Sequence, residues 1–280
     1  MSTPPDLPAA PTCQENPSFD ILYWIGCAAS YDRRTQRVAR AMVKLLNHAK
    51  VNFAILGREE KCSGDSARRL GDEFLFQELA TANIATLAKY HVKRIVAHCP
   101  HCVNALLQDY APLGGHYEVV HHSQMLADLI KQGRLPAVPG AAPAPAGAVT
   151  YHDPCYLARV HGIHEAPREV LATALGGPSL CEMKRNRTGT SCCGAGGGRM
   201  WMEENPQQRV STERAKEALG TGAKTVATGC PFCLTMMSDG VAANGAETRV
   251  LDLAELLVER LGLLPFLTDN LPTPTSPSHG

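Results

Sequence analysis

"VKRIVAHCPHCVNAL" (residues 92–106) and "AKTVATGCPFCLTMM" (residues 223–237) decide the fold. Each is a short apolar run, then Cys-Pro-x-Cys, then a segment with helical spacing. A run of that length bounded by a turn signal reads as a buried strand. Each stretch therefore reads as a strand that delivers a cysteine pair to the start of a helix. The two stretches are 131 positions apart, measured from Cys99 to Cys230 and from Cys102 to Cys233.

The correspondence continues outward in both directions. "FDILYWIGCAAS" (19–30) and "AGAVTYHDPCYLA" (146–158) each carry an apolar run to a cysteine, Cys27 or Cys155. Helical segments follow, "RRTQRVARAMVKLLNHA" (33–49) and "APREVLATAL" (166–175). Second strands are expected at "NFAILG" (52–57) and "SLCEMKR" (179–185), leading into "EEKCSGD" (59–65) and "TSCCGAG" (190–196). Each half closes on a strand and an amphipathic helix, "YEVVHHSQMLADLIKQG" (117–133) and "TRVLDLAELLVERLG" (248–262). Cys27 and Cys155 are 128 positions apart, and Cys62 and Cys192 are 130 apart. Four cysteines matched twice in one chain imply an internal duplication. Its period is too long for a solenoid. Alternating strands and helices imply an α/β fold with mostly parallel sheets. Ligands of such sheets sit beyond the strands' carboxyl ends, where these cysteines fall.

Composition sets the rest of the frame. The expected organisation is a disordered segment over 1–18, a first domain over 19–135, a Pro/Ala linker over 136–148, a second domain over 149–265 and a disordered tail over 266–280. Lys plus Arg and Asp plus Glu both number 27, so there is no net basic face for nucleic acid. No apolar run reaches the length of a membrane span. The opening "MSTPPDLPAAPTCQENP" lacks the basic and apolar regions of a secretory signal, and a cytoplasmic location is expected. Thiols are kept reduced there, so the eleven cysteines point to metal or redox chemistry rather than a disulfide framework.

The second half offers five cysteines: Cys155, Cys192, Cys193, Cys230 and Cys233. A structural zinc ion takes four ligands in a tetrahedron. Five are one too many, and adjacent cysteines diverge, so Cys192 and Cys193 suit two different metal atoms. Both points favour a multinuclear cluster, of which iron–sulfur is the common thiolate-bound kind. The glycines after Cys193 let the backbone approach such a group closely and direct N–H groups at its sulfurs. Other readings are weaker. Cys-Pro-x-Cys alone fits a thioredoxin-like pair. The glycine run lacks a P-loop lysine and GxGxxG spacing. Cys13 and Cys181 lie off the pattern, Cys13 in the expected disordered segment and Cys181 as a small core residue. His101 and His152 flank the cysteines and read as local hydrogen-bond partners, or as donors to a cluster sulfur. His121 and His122 read as structural. Asp65 suits a helix start, Arg199 a solvated surface or a charge partner for a cluster, and "MWMEE" (200–204) a core patch or a cover over the site.

Thirty-six residues separate Cys155 from Cys192, and thirty-six separate Cys193 from Cys230. This pattern resembles the CCG cysteine-rich domain of heterodisulfide reductase, and of the iron–sulfur subunits of glycolate oxidase and anaerobic glycerol-3-phosphate dehydrogenase. The resemblance covers about residues 20–265 as two tandem copies and takes in nine of the eleven cysteines. It implies a noncubane [4Fe-4S] cluster on Cys155, Cys192, Cys193, Cys230 and Cys233. The first half, with Cys27, Cys62, Cys99 and Cys102, has Ser63 where the second cysteine of the pair belongs. Four thiols there imply a cubane [4Fe-4S] cluster or an altered one, with zinc or an empty site as alternatives. "EEKCSGDSARRLGDEFLFQ", "YHDPCYLAR" and "SCCGAGGGRMWMEE" are also similar to iron–sulfur oxidoreductases associated with acyl-CoA dehydrogenation and electron-transfer flavoprotein. Longer members carry membrane helices and a ferredoxin-type module, and this sequence shows neither. The resemblance thus implies an electron-transfer subunit working with a separate flavoprotein or ferredoxin-type partner and a quinone-linked acceptor. A disulfide-cleaving enzyme and a zinc-bound structural protein are the alternatives.

Overall fold

The computed structural model describes residues 9–136, 148–177, 180–205 and 208–263. The first half begins with β1 (Ile21–Trp24), α1 (Gly26–Tyr31) and α2 (Arg33–His48). Asp32 fixes the start of α2 by accepting the Thr35 N–H at 2.7 Å, the bond an N-cap supplies to an otherwise orphaned amide. Val38, Met42, Leu45 and Leu46 then recur at helical spacing and are buried. After β2 (Phe53–Ala54) come α3 (Asp65–Arg69), α4 (Glu73–Lys89), β3 (Arg94–Ala97) and α5 (Pro100–Asn104). The half ends with β4 (Glu118–His121) and α6 (His122–Lys131).

The second half runs β5 (Val149–His152), α7 (Glu165–Leu175), α8 (Val210–Leu219), β6 (Thr225–Thr228) and α9 (Pro231–Ala243). It closes with β7 (Arg249–Asp252) and α10 (Leu253–Arg260). All strand pairs are parallel, in a four-stranded sheet of order β2-β1-β3-β4 and a three-stranded sheet of order β5-β6-β7. The α/β duplication read from the sequence is therefore the observed fold.

The two sheets share one helical layer. Ile21 and Tyr23 of β1 point to one face and join a core with α2, α6, α7, α10 and residues of the second sheet. Leu22 and Trp24 point to the other face, under α4 and α5. Val226 of β6 faces α8 and α9, while its neighbour Ala227 faces the shared layer. Side chains alternate along a strand, and both faces of these parallel sheets are covered by helices. The order is helix, sheet, helix, sheet, helix. The halves thus form one body rather than two units joined only by a linker.

The duplication extends to hydrogen bonds. His121 and Gln124 form a capping box at the start of α6, and Asp252 and Glu255 form one at the start of α10. His122 then reaches across, its Nε2 3.0 Å from Asp252 Oδ1, and His121 Nε2 lies 2.9 Å from the Gly229 carbonyl. Arg34 of α2 adds two bonds of 2.9 and 2.8 Å to the buried Glu255 and one of 2.8 Å to the Val250 carbonyl. His121 and His122 are structural, as expected, and the halves are clamped through them.

Three expectations need correction. The second strand of the second half shrinks to a bridge between Leu180 and Val149, with the Cys181 N–H bonded to the Val149 carbonyl at 2.8 Å. Its first-half counterpart keeps only Phe53 and Ala54, because these runs pair at the sheet edge. Cys181 is half-buried rather than in the core. The expected disorder of residues 1–18 does not hold over 9–18. Thr12 bridges Ile55, the Cys13 N–H donates to the Ile55 carbonyl at 2.9 Å, and Cys13 is buried. Residues 137–147 of the linker and the tail over 266–280 lie outside the described residues.

Close backbone approach holds α9, and with it Cys233, in place. A Cβ on Gly240 would fall 2.4 Å from the Ser211 carbonyl oxygen of α8. Backbone cannot give way as a side-chain tip does, so Gly240→Ala is expected to cost about 1–3 kcal/mol in denaturant unfolding. Gly189→Ala, where nothing lies within 4 Å, is the matched control and should stay within about 0.5 kcal/mol.

Candidate metal centre

In the first sheet, chain order reverses direction between β1 and β3. That crevice, beyond the strands' carboxyl ends, is where open parallel sheets bind ligands. Cys27 lies there in α1 just after β1, and Cys99 occupies the cap position of α5 just after β3. The second half repeats this, with Cys155 after β5 and Cys230 capping α9 after β6. Pro100 and Pro231 stand at the first helical position, where a missing N–H leaves no bond unmade and the fixed φ suits the helix. Cys102 and Cys233 follow within the first turn and point back into the same cup.

A loop brings the remaining cysteines. Cys62 Sγ lies 3.6 Å from Cys27 Sγ, and Cys192 stands beside Cys155 in the matching place, near enough to raise its pKa. Cys193 Sγ lies 3.3 Å from Cys233 Sγ, and Ser63 Oγ lies 3.5 Å from Cys102 Sγ. Ser63 therefore stands where Cys193 stands, with a hydroxyl in place of the thiol. The loop glycines aim a donor at sulfur. Gly64 (φ 82°) and Gly194 (φ 94°) are left-handed, and their N–H groups point at Cys62 Sγ (3.5 Å) and Cys192 Sγ (3.2 Å). A Cβ at Gly64 would lie 2.8 Å from the Phe76 ring, and one at Gly194 would lie 3.2 Å from Val210, so glycine is required at both.

The two cups meet. Cys99 and Cys230, both buried, lie close enough across the halves to perturb each other's ionisation. His101 bridges the same seam. Its ring stacks on Tyr156 (centroids 4.2 Å apart) and tilts against Phe232 (4.9 Å), while its Nδ1 lies 2.9 Å from the Asp65 carboxylate. Asp65 opens α3 as expected, but its carboxylate is engaged by His101 and by Arg69 at 3.3 Å.

Crowding splits the acidities of these thiols. A hydrogen bond from Cys27 and the Gly64 N–H pull Cys62 down to about 6. Cys192 is held far below the ordinary thiol range by bonds from Cys155, Cys193 and the backbone of Gly194 and Gly196. Their donors Cys27 and Cys155 are pushed well above it. Burial and neighbouring thiols likewise raise Cys99, Cys102, Cys193 and Cys233. So many thiols in contact can all ionise only against a concentrated positive charge. None of the eleven cysteines is in a disulfide. Buried, convergent soft donors fit a multinuclear metal centre. His152, Cys193 and Cys233 also bring three ligand atoms within 4.8 Å of one another.

A model of the CCG cysteine-rich domain family matches residues 21–107 and again 149–238. The chain belongs to the CCG family. This CCG pair is 46% identical over 249 residues to a Bacillus subtilis protein named "Probable iron-sulfur-binding oxidoreductase FadF", covering 88% of this chain and 34% of that one. It is 43% identical over 254 residues to EtfAB:quinone oxidoreductase of Syntrophomonas wolfei, covering 87% and 35%. It is 36% identical over 250 residues to a dihydromethanophenazine:CoB–CoM heterodisulfide reductase chain of Methanosarcina barkeri, covering 87% and 59%. The CCG pair thus spans about a third of the length of the first two relatives.

The remaining sequence candidates sit at the edge of the site. Arg199 is half-exposed and paired with Glu204. Trp201 and Met202 are exposed, so "MWMEE" is not a core patch, though Met200 packs beside Cys193 and Cys230. Glu60 carried no signal in the sequence. It accepts the Ile25 and Gly26 N–H groups at 3.1 and 2.5 Å, fixing the turn that presents Cys27, and burial raises it to about 7.

Alkylation of metal-free protein tests the thiol electrostatics. The thiolate fraction of Cys62 should rise with pH through about 6, against about 8.5 for a free cysteine. Peptide mapping of iodoacetamide-treated protein reads this directly. Cys27→Ala removes the donor and should move the midpoint of Cys62 upward.

Proposed function

We propose that this CCG pair is an iron–sulfur electron-transfer module carrying one [4Fe-4S] cluster in each half. The observation that carries this reading is the approach of the two cysteine cups. Pro231 and Phe232, between Cys230 and Cys233 of the second cup, line the first cup together with Cys27, Cys62, Cys99 and Cys102, and Phe232 packs on His101. When bound, such clusters would supply one-electron transfer. The chain's own part is to hold them close, exclude water and set their surroundings. Cys155, Cys192, Cys193, Cys230 and Cys233 would hold a noncubane cluster. Cys27, Cys62, Cys99 and Cys102 would hold a cubane one, with Ser63 beside it.

The module would work between a flavoprotein dehydrogenase or electron-transfer flavoprotein and a quinone-linked acceptor, a reading supported by the name of the Syntrophomonas wolfei relative, EtfAB:quinone oxidoreductase. No helix among the described residues is long and apolar enough to cross a membrane. The proposal places the module in the cytoplasm, where its free thiols stay reduced, with membrane contact made through a partner.

A second reading is disulfide cleavage at the second-half cluster. The intact five-cysteine set there and the similarity to a heterodisulfide reductase chain favour it. Ser63 weighs against it, since a mechanism using two equivalent noncubane clusters needs the second cysteine in both halves. Disulfide reduction with an artificial donor, abolished by Cys193→Ala, would establish this reading in place of the relay.

Metal and acid-labile sulfide analysis tests the proposal. Anaerobically prepared protein is expected to hold about eight irons, roughly four per half, and the Cys192→Ala/Cys193→Ala double variant about four. Colourless protein with stoichiometric zinc would overturn it. Ser63→Cys should leave the iron count unchanged and move the first-half EPR signal toward that of the second half.

A further inference from the structure

Each half ends its first strand on a large, N–H-bearing side chain next to the cysteines. In the second half this is His152, the last residue of β5, and in the first half it is Trp24, the last residue of β1. Both are buried, and among the described residues neither Trp24 Nε1 nor His152 Nε2 has a hydrogen-bond partner. Leaving a buried donor unmet costs about 1–3 kcal/mol, and native folds rarely tolerate it without a reason. Two such donors at equivalent positions of a duplicated fold call for a common reason.

The geometry around each points to sulfur. His152 lies within 4.8 Å, ligand atom to ligand atom, of both Cys193 and Cys233. Its other nitrogen, Nδ1, lies 3.0 Å from Nε of the fully buried Arg214. A guanidinium only donates, so Nδ1 must accept. The neutral ring therefore carries its proton on Nε2, the nitrogen left without a partner. Arg214 is itself fixed by Glu217 at 2.6 Å and by Thr190 at 3.3 Å, so the tautomer is built into the fold. In the first half, the bare face of Gly26 looks at Cys102 Sγ and at Trp24 Nε1. They lie 3.4 and 3.9 Å from where a Cβ would stand. Indole nitrogen is a donor only.

We infer that Trp24 Nε1–H and His152 Nε2–H are positioning donors, each hydrogen-bonding a sulfur of the cluster bound in its own half and raising that cluster's reduction potential. This rests on the cluster reading above. Hydrogen bonds to cluster or ligand sulfur stabilise the more negative, reduced form, which gives the sign. Indole and imidazole differ in acidity and reach, so the pair also sets the two potentials apart and gives the relay a direction.

The test is an EPR-monitored redox titration of the full chain, with iron and sulfide counted in every sample. Trp24→Phe keeps the ring shape and removes the N–H. His152→Leu removes the donor, and His152→Gln restores an acceptor for Arg214 together with a donor toward sulfur. The expected pattern is crossed. Trp24→Phe lowers only the first-half potential, and His152→Leu lowers only the second-half potential. Each changes the reduced-to-oxidised ratio at fixed potential about tenfold, which is about 59 mV for one electron. His152→Gln recovers most of its shift. Normal iron content with unmoved potentials, or equal movement of both clusters by either variant, would overturn the inference while leaving the cluster reading intact. Absent iron in the unsubstituted protein would overturn both. Should a variant fail to fold, pulsed EPR of unsubstituted protein labelled with [15N]histidine decides for the second half. A weak histidine nitrogen coupling is expected there. No coupling, or a large one from direct ligation of iron, would overturn it.

Discussion

The structure depends on one electrostatic constraint: nine sulfur atoms and one hydroxyl crowd into two adjoining cups, five of the cysteines buried and four half-buried. Thiols in contact oppose each other's ionisation, and this is visible in how Cys62 and Cys192 become more acidic while Cys27 and Cys155 become less so. Such crowding needs backbone that cannot shift. The parallel sheets supply it, because their strands end in the crevice with both faces covered by helices. The shared helical layer and the clamp of His122 on Asp252 then hold one cup against the other. Burial that would be unfavourable for isolated thiolates becomes useful once the groups share a concentrated positive charge.

The duplication is close enough that its exceptions carry meaning. Tyr23 of β1 bonds to His98, its hydroxyl 2.9 Å from Nδ1. Tyr151 occupies the matching place in β5, but Gly229 stands where His98 would be, and the Tyr151 hydroxyl has no partner among the described residues. A side chain at Gly229 would meet His121 and Leu253 at 3.2 Å, so the first half's histidines fill the room that the second half leaves. His101 and Phe232 likewise hold equivalent positions and touch across the seam, one polar and tied to Asp65, the other apolar. With Ser63 opposite Cys193, these differences give the two cups distinct surroundings within one framework, and a relay with a direction needs that distinction.

Much of this was legible in the sequence, because cysteine spacing and strand–helix alternation are local properties. The 131-position offset of the Cys-Pro-x-Cys elements gave the duplication, the parallel sheets and the placement of cysteines at strand ends. What escaped was set by distant partners. Thr12 and Cys13 lie in a Pro-rich segment that looks unstructured until Ile55 pairs with it. "SLCEMKR" has strand-like composition but sits at a sheet edge, where only Leu180 meets Val149. Glu60 reads as one more surface acid until the turn before Cys27 folds over it. The approach of Cys99 to Cys230 has no local signal, since it depends on how the halves pack.

That approach is the central claim, and magnetic coupling between the two centres tests it most directly. EPR of the fully reduced protein is expected to show spin–spin broadening or splitting. The broadening should vanish in the Cys192→Ala/Cys193→Ala variant, which leaves a narrow first-half signal. A fully reduced spectrum equal to the simple sum of two unperturbed signals would contradict the account, because it would place the clusters apart rather than across one seam.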